Sequence, residues 1–238
     1  MLKSVIRVAL VALVLTPLAA VAQDARPDQP VVNDARQNAP GQFDFYVLSL
    51  SWSPSFCAAA AERDAARSSG RQCGAQPYAF VVHGLWPQYD TGFPEFCQMP
   101  APRLDRATVS SMLDLMPAPH LIFNEWDRHG TCSGLSPHAY FETLRKARAA
   151  VRIPPDYLDP QAPLTVTPAA VADAFIKANP GLTPAAIAIG CDSKRLTEVR
   201  LCLARDLSKD VQFHDCGDIA KRACRRDQVV MPPVRGNG

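Results

Sequence analysis

The sequence of 238 residues has eight cysteines but no Cys-x-x-Cys pair. That absence weighs against a zinc ribbon and against a thioredoxin-like redox site. No apolar run is long enough to span a bilayer comfortably, and the run from Val8 to Leu15 lacks a stop-transfer flank. There is no internal repeat and no second linker, so a single domain is the simplest organisation. An excess of basic charge is also missing once the start of the chain is set aside. The opening "MLKSVIRVALVALVLTPLAAVAQ" places Lys3 and Arg7 before the apolar run and ends in Ala20-Val21-Ala22, the small-x-small pattern of a signal-peptidase site. Removing residues 1–22 as a signal peptide leaves 23 basic and 23 acidic side chains. A neutral chain has no broad basic field of the DNA-coating kind, so a nucleic-acid partner has to be held locally. The residue directly after the expected cut is Gln23 and not cysteine, which counts against a lipoprotein. The chain is expected to be exported, periplasmic or extracellular, with no stable membrane association after cleavage.

Cys57, Cys73, Cys97, Cys132, Cys191, Cys202, Cys216 and Cys224 all lie beyond that cut. An even number in an exported chain reads as a disulfide framework, although eight cysteines allow about 105 pairings and spacing alone selects none. Residues 23–42, rich in Pro, Asp, Asn and Gln, read as a flexible lead-in to a domain over 43–238. "FDFYVLSLSW" (43–52) reads as a buried strand closed by Ser53-Pro54, and "YAFVVHGLWP" (78–87) as a second that delivers His83 to its end. Helical spacing appears over 103–117, 136–152 and 167–181, the last two introduced by Ser136 and Thr167 as caps. Residues 185–191 and 196–204 read as late strands. The mixture makes one α+β domain.

Two segments carry chemistry. "VVHGLWPQ" (81–88) contains His83 and Trp86; "FNEWDRHGTC" (123–132) contains an amide, two acids, an arginine, a histidine and a cysteine. In a helix Glu125 and His129 share one face, Asn124 and Arg128 the adjacent one, and Trp126 points inward. A histidine beside a carboxylate and a guanidinium suits proton handling next to an anionic phosphate. Taken singly, His83 reads as a core histidine and His129 as a helix-surface one. Cys132, three residues beyond His129, invites a Cys–His nucleophile, but export and the even cysteine count favour a disulfide. His120, His138 and His214 have no paired motif and read as surface or cap residues. Trp86 reads either as core or as a stacking platform for a base, with Tyr89 and Phe93 as weaker platforms and Gln88 able to hydrogen-bond a base edge.

"HGLWPQ" and "EWDRHGTC", in that order about 45 residues apart, resemble the two active-site segments of the ribonuclease T2 family of secreted, metal-independent endoribonucleases. "YVLSLSWSPSFC" resembles the family's first strand and cysteine, "LMP" (115–117) precedes the second segment at the usual place, and the likeness runs from about residue 43 to 224. The resemblance implies a disulfide-stabilised α+β fold with a central, mostly antiparallel sheet and packed helices. It implies catalysis by His83, Glu125 and His129, with His129 as base and His83 as acid, a division that the residues alone do not make. Arg128 would stabilise phosphate charge. Asn124 stands where the family usually has a phosphate-binding histidine, and Arg128 where it often has lysine. The implied pairs are Cys97–Cys132, Cys57–Cys73, Cys191–Cys224 and Cys202–Cys216. The implied partner is single-stranded RNA rather than DNA, cut with broad base specificity by a monomer without cofactor or metal. The alternative is a catalytically weakened relative that binds RNA or a protein partner.

Overall fold

A computed structural model describes residues 36–63, 71–74 and 76–234. The expected signal peptide and residues 23–35 of the expected lead-in lie outside the described residues. Residues 36–42 do not trail freely: Arg36 pairs with Asp44, the Asn38 backbone N–H donates to the Tyr89 hydroxyl, and the Gly41 N–H donates to the Cys132 carbonyl.

Strand β1 (Phe45–Trp52) alternates as a half-apolar strand should. Tyr46, Leu48, Leu50 and Trp52 enter the main core, while Phe45 and Val47 join a smaller cluster on the opposite face with Ala188, Cys202 and Cys216. Ser53-Pro54 ends the strand as expected, yet the same proline opens helix α1 (Ser53–Glu62), because a missing N–H costs nothing in a first turn. Strand β2 (Phe80–Gln88) lies on one side of β1, and the late strands β4 (Ile187–Cys191) and β5 (Leu196–Ala204) complete a sheet of order β2-β1-β5-β4. Every neighbour in it is antiparallel. A second pair, β3 (Leu164–Val166) with β6 (Val229–Met231), was not legible as strands.

The helix expected over 103–117 is shorter. Helix α2 (Arg106–Ser111) is capped by the Asp105 side chain, which accepts from Thr108 N–H, and stops at Met112. Beyond it the Leu115 carbonyl accepts from Val82 N–H, so the backbone is drawn to β2 while Met112 and Met116 still reach the core. Helix α3 (Pro119–Arg128) follows, then α4 (Pro137–Ala150) and α5 (Pro168–Ala178), with Ser136 and Thr167 capping the last two as read from sequence. A short α6 (Asp218–Lys221) closes the series. Among the described residues no helix is long and apolar enough to cross a membrane.

All eight cysteines are paired, as Cys57–Cys73, Cys97–Cys132, Cys191–Cys224 and Cys202–Cys216, the set that the resemblance implies. The second bond ties the loop around Cys97 to the end of the α3 region; the last two fasten the C-terminal segment to β4 and β5.

Candidate active site

The register between β1 and β2 slips by one residue: Ser49 lies opposite Gly84 and Leu50 opposite Val82, leaving His83 as the extra residue of a bulge. A bulge re-aims side chains, and here His83 and Trp86 both line one cavity of about 270 Å³. On the same sheet face β1 contributes short groups, Ser49 and Ser51, directly opposite Arg200 and Glu198 of β5. The large polar side chains of the outer strands therefore meet over the small ones of the middle strand.

Helix α3 supplies the other wall. Its helical period buries Glu125 and Trp126, whose indole donates to the Pro102 carbonyl, and ends at Arg128 with His129 as the C-cap. His129 is buried and lines the cavity with Glu125 and Arg128. The Trp86 indole N–H donates to Glu125 Oε2 at 2.6 Å, and Glu125 Oε1 lies 3.6 Å from His83 Nε2. His83 Nδ1 lies 2.5 Å from Glu198 Oε1. Trp86 stands between the two imidazoles, with ring centroids 5.2 Å from His83 and 5.3 Å from His129.

The ribonuclease T2 family model matches residues 43–216, which include both wall segments and β5. The chain belongs to the ribonuclease T2 family. It is 44% identical over 109 residues to a ribonuclease of Aeromonas hydrophila, an alignment that covers 45% of this chain and 46% of that protein. It is 27% identical over 222 residues to ribonuclease DdI of Dictyostelium discoideum, covering 82% of this chain and 88% of that one. The chain thus spans about half the length of the first relative. Its fold matches that of an RNase-related protein from Calystegia sepium with a TM-score of 0.60 at 19% identity, covering 81% of this chain and 98% of that one.

Within this ribonuclease T2 domain the expected site residues separate. His83, Trp86, Gln88, Phe93, Glu125, Arg128 and His129 line the cavity; Asn124 and Tyr89 do not. Asn124 is exposed on the outer side of α3. Tyr89 is buried, with the Arg36 guanidinium 4.5 Å from its ring centre, so it is core and not a platform for a base. Gln88 is buried and its amide N–H donates to the Pro87 carbonyl. The Arg128 Nε–H donates to Glu95. Sequence reading missed Glu198, Arg200 and Arg222, the last two also in the lining. It also missed a neighbouring cavity of about 330 Å³ that shares His83 and includes Glu198, Phe56, Leu121 and His120.

Electrostatics divide the two histidines. Burial disfavours the His83 cation, but the hydrogen bond to Glu198 and the charges of Glu198 and Glu125 outweigh it and raise the pKa. His129 is pushed down to about 3 by burial first and then by the Arg128 and His83 charges. Its Nδ1 is buried without a hydrogen-bond partner among the described residues. Glu125 is raised by burial, against the opposing pull of His83 and the Trp86 hydrogen bond. Burial works against charge on Glu198 too, yet its bonds to His83 and Arg200 bring it down to about 2.

These shifts predict a pH dependence of stability. Between about 3 and 6.5 an unfolded chain binds a proton at His129 that the folded chain refuses. Stability therefore falls as pH falls through that window. His83 acts oppositely: its contribution is full below its unfolded value and is lost as pH rises through the raised one. A His129→Gln variant should show a shallower drop in Tm on acidification than the parent, read by thermal melts across the window. An equally steep drop in the variant would show that His129 is not the source.

Proposed function

We propose that the chain is a metal-independent endoribonuclease that cleaves single-stranded RNA by attack of the ribose 2′-hydroxyl on the adjacent phosphorus, leaving a 2′,3′-cyclic phosphate. The observation that carries this reading is the pair of imidazoles in one cavity, whose surroundings push their pKa values in opposite directions. The reaction needs a group that takes a proton from the 2′-oxygen and a group that gives one to the departing 5′-oxygen. Neutral His129 is suited to the first task and protonated His83 to the second, which is the division of labour implied by the resemblance. With Nδ1 of His83 engaged by Glu198, the proton for the leaving group is on Nε2, the nitrogen nearer Glu125.

Charge growing on the non-bridging oxygens is met by Arg128, with Arg200 and Arg222 also in the lining. Arg128 is bound to Glu95 and 47% exposed, so a phosphate would compete with that carboxylate for it. The two cavities that meet at His83 give room for the nucleotides on either side of the scissile phosphate, with Trp86 and Phe93 on one side and Phe56 and Leu121 on the other. Bases can occupy them only when splayed from a duplex, which accounts for a single-strand requirement, and aromatic contact tolerates any base. Asn124 lies outside the lining, so the lack of an imidazole there leaves the catalytic pair intact. Both histidines and their partners come from one chain, which suits action as a monomer. Four disulfides suit an oxidising location in the periplasm or medium.

The test is incubation in EDTA with an RNA oligonucleotide, its 2′-O-methyl counterpart and the same sequence as DNA. Cyclic-phosphate ends are expected from the first strand and no cutting of the other two. Cleavage of DNA or of the methylated strand, or a requirement for added metal, would overturn the mechanism.

A further inference from the structure

The Glu198–Arg200 pair on β5 has no part in the two motifs that define the site, yet it holds one of the reacting groups. Resting on the transphosphorylation reading above, we infer that Glu198, gripped by Arg200, is the positioning residue of the leaving-group acid: it fixes the His83 ring so that Nδ1 faces the carboxylate and Nε2 faces the scissile phosphate.

Strand β5 shows why such a group is present. Val199, Leu201 and Leu203 pack into the main core, while Glu198, Arg200 and Cys202 alternate onto the opposite face. On that face the Glu198 side chain is only 11% exposed. A carboxylate so buried is costly unless each oxygen is paired, and here each one is. Oε1 meets His83 Nδ1 at 2.5 Å and lies 3.5 Å from Ser51 Oγ. Oε2 accepts from Arg200 Nε at 2.9 Å and from Nη2 at 2.8 Å. Two guanidinium donors anchor Oε2, and with that oxygen held the carboxylate presents Oε1 to the imidazole. Arg200 is itself placed over Trp86, 5.6 Å from the ring centre.

The charged groups facing His83 can be enumerated by element. Strand β5 contributes Glu198 and Arg200, α3 contributes Glu125 and Arg128, its C-cap contributes His129, and Arg222 at the end of α6 lines the same cavity. Arg63, His120 and Asp192 line the neighbouring cavity without a hydrogen bond to the His83 ring. The two carboxylates thus take one nitrogen each, but on different terms. Glu198 is within hydrogen-bond distance of Nδ1, while Glu125 is 3.6 Å from Nε2 and already accepts from Trp86. The loose side is the one where a departing oxygen can enter; the tight side holds the ring. This is the arrangement in which an orienting carboxylate fixes a histidine tautomer without touching substrate.

The test compares the parent with Glu198→Gln and Glu198→Ala, each checked for folding by a thermal melt. Glutamine keeps an oxygen for Nδ1–H and loses the charge. Its kcat/KM profile should keep the acid limb, set by His129, while the alkaline limb moves to lower pH by about 1–2 units. Alanine should lower kcat by about 10²-fold with KM nearly unchanged. An RNA whose leaving 5′-oxygen is replaced by sulfur supplies the deciding arm. The thiolate departs with the P–S electron pair and needs no proton, so both variants should cut it at close to the parental rate. Deficits as large on the thio-substrate, or an alkaline limb that does not move, would overturn the assignment. If the parent itself makes no cyclic phosphate, the underlying reading has failed instead. The pair is then still tested without substrate, by the tautomer and titration midpoint of His83 in nitrogen NMR: an Nδ1–H tautomer with a midpoint lowered in Glu198→Gln supports it, and an unchanged midpoint refutes it.

Discussion

Replacing His129 by alanine should lower kcat/KM on single-stranded RNA by about 10²–10⁴-fold while leaving the protein folded. The loss follows from the proposed role of proton acceptor, for which His129 is an imidazole held neutral in the same cavity as His83 and Arg128. The survival of the fold follows from the surroundings of the ring. His129 is held neutral by burial, and its Nδ1 has no hydrogen-bond partner among the described residues. A buried polar atom without a partner contributes nothing to stability and costs desolvation, so removing it should affect Tm less than an ordinary core truncation. A combined His83→Ala, His129→Ala variant should be little slower than either single one, because the two act in one proton-in, proton-out event. Initial-rate assays with melts on the same preparations check both statements. A single variant with near-parental activity would remove His129 from the mechanism.

Gly84→Ala should cost about 10²-fold in activity through a residue that bears no functional group. The backbone there is ordinary extended strand, so no left-handed conformation makes glycine necessary. What makes it necessary is proximity: a Cβ at this position would overlap Glu125 Oε2 and the Trp86 indole nitrogen, the two atoms joined by the 2.6 Å hydrogen bond. Neither is the loose end of a surface side chain. Glu125 is 6% exposed and Trp86 is packed between the imidazoles, so a methyl group must break their bond or push α3 off the sheet. Overpacking of this kind costs about 1–3 kcal/mol, and the displaced Glu125 no longer faces His83. Activity and melting measured together on Gly84→Ala test this, and a variant with parental activity would show that Glu125 has no fixed place in the chemistry.

The glycine illustrates what could be read in the sequence and what could not. The inner face of α3 was legible because the helical period alone puts Glu125 and His129 together and sends Trp126 inward. The strand over 43–52 was legible from its aromatic and β-branched residues, and the caps at Ser136 and Thr167 from their hydroxyls. Glu198 was not. A lone acid in a half-apolar strand reads as a solvent-facing residue, and nothing local indicates that the facing strand offers only serines and that a histidine lies beyond them. The bulge at His83 was hidden for a related reason, since it exists only in the register between two strands. Tyr89 misled because aromatic character marks a core residue and a base platform equally well. Here Arg36 and Asn38, from a segment read as loose, cover it. The shortened α2 kept its apolar spacing, but a backbone bond to β2 decided its path.

The order β2-β1-β5-β4 also imposes a sequence of events in time. Both histidines lie in the first 129 residues, yet Ser51 of β1 meets Glu198 of β5 across 147 positions of chain. Loop closure over such a distance is slow compared with hairpins and helices. The strands that close it carry Cys191 and Cys202, whose partners come later still, at Cys224 and Cys216. A chain leaving the ribosome therefore exposes its imidazoles long before it can orient them. The contact of His83 with Glu198 is therefore among the last to form, in the same stretch of assembly as the two disulfides that fasten β4 and β5.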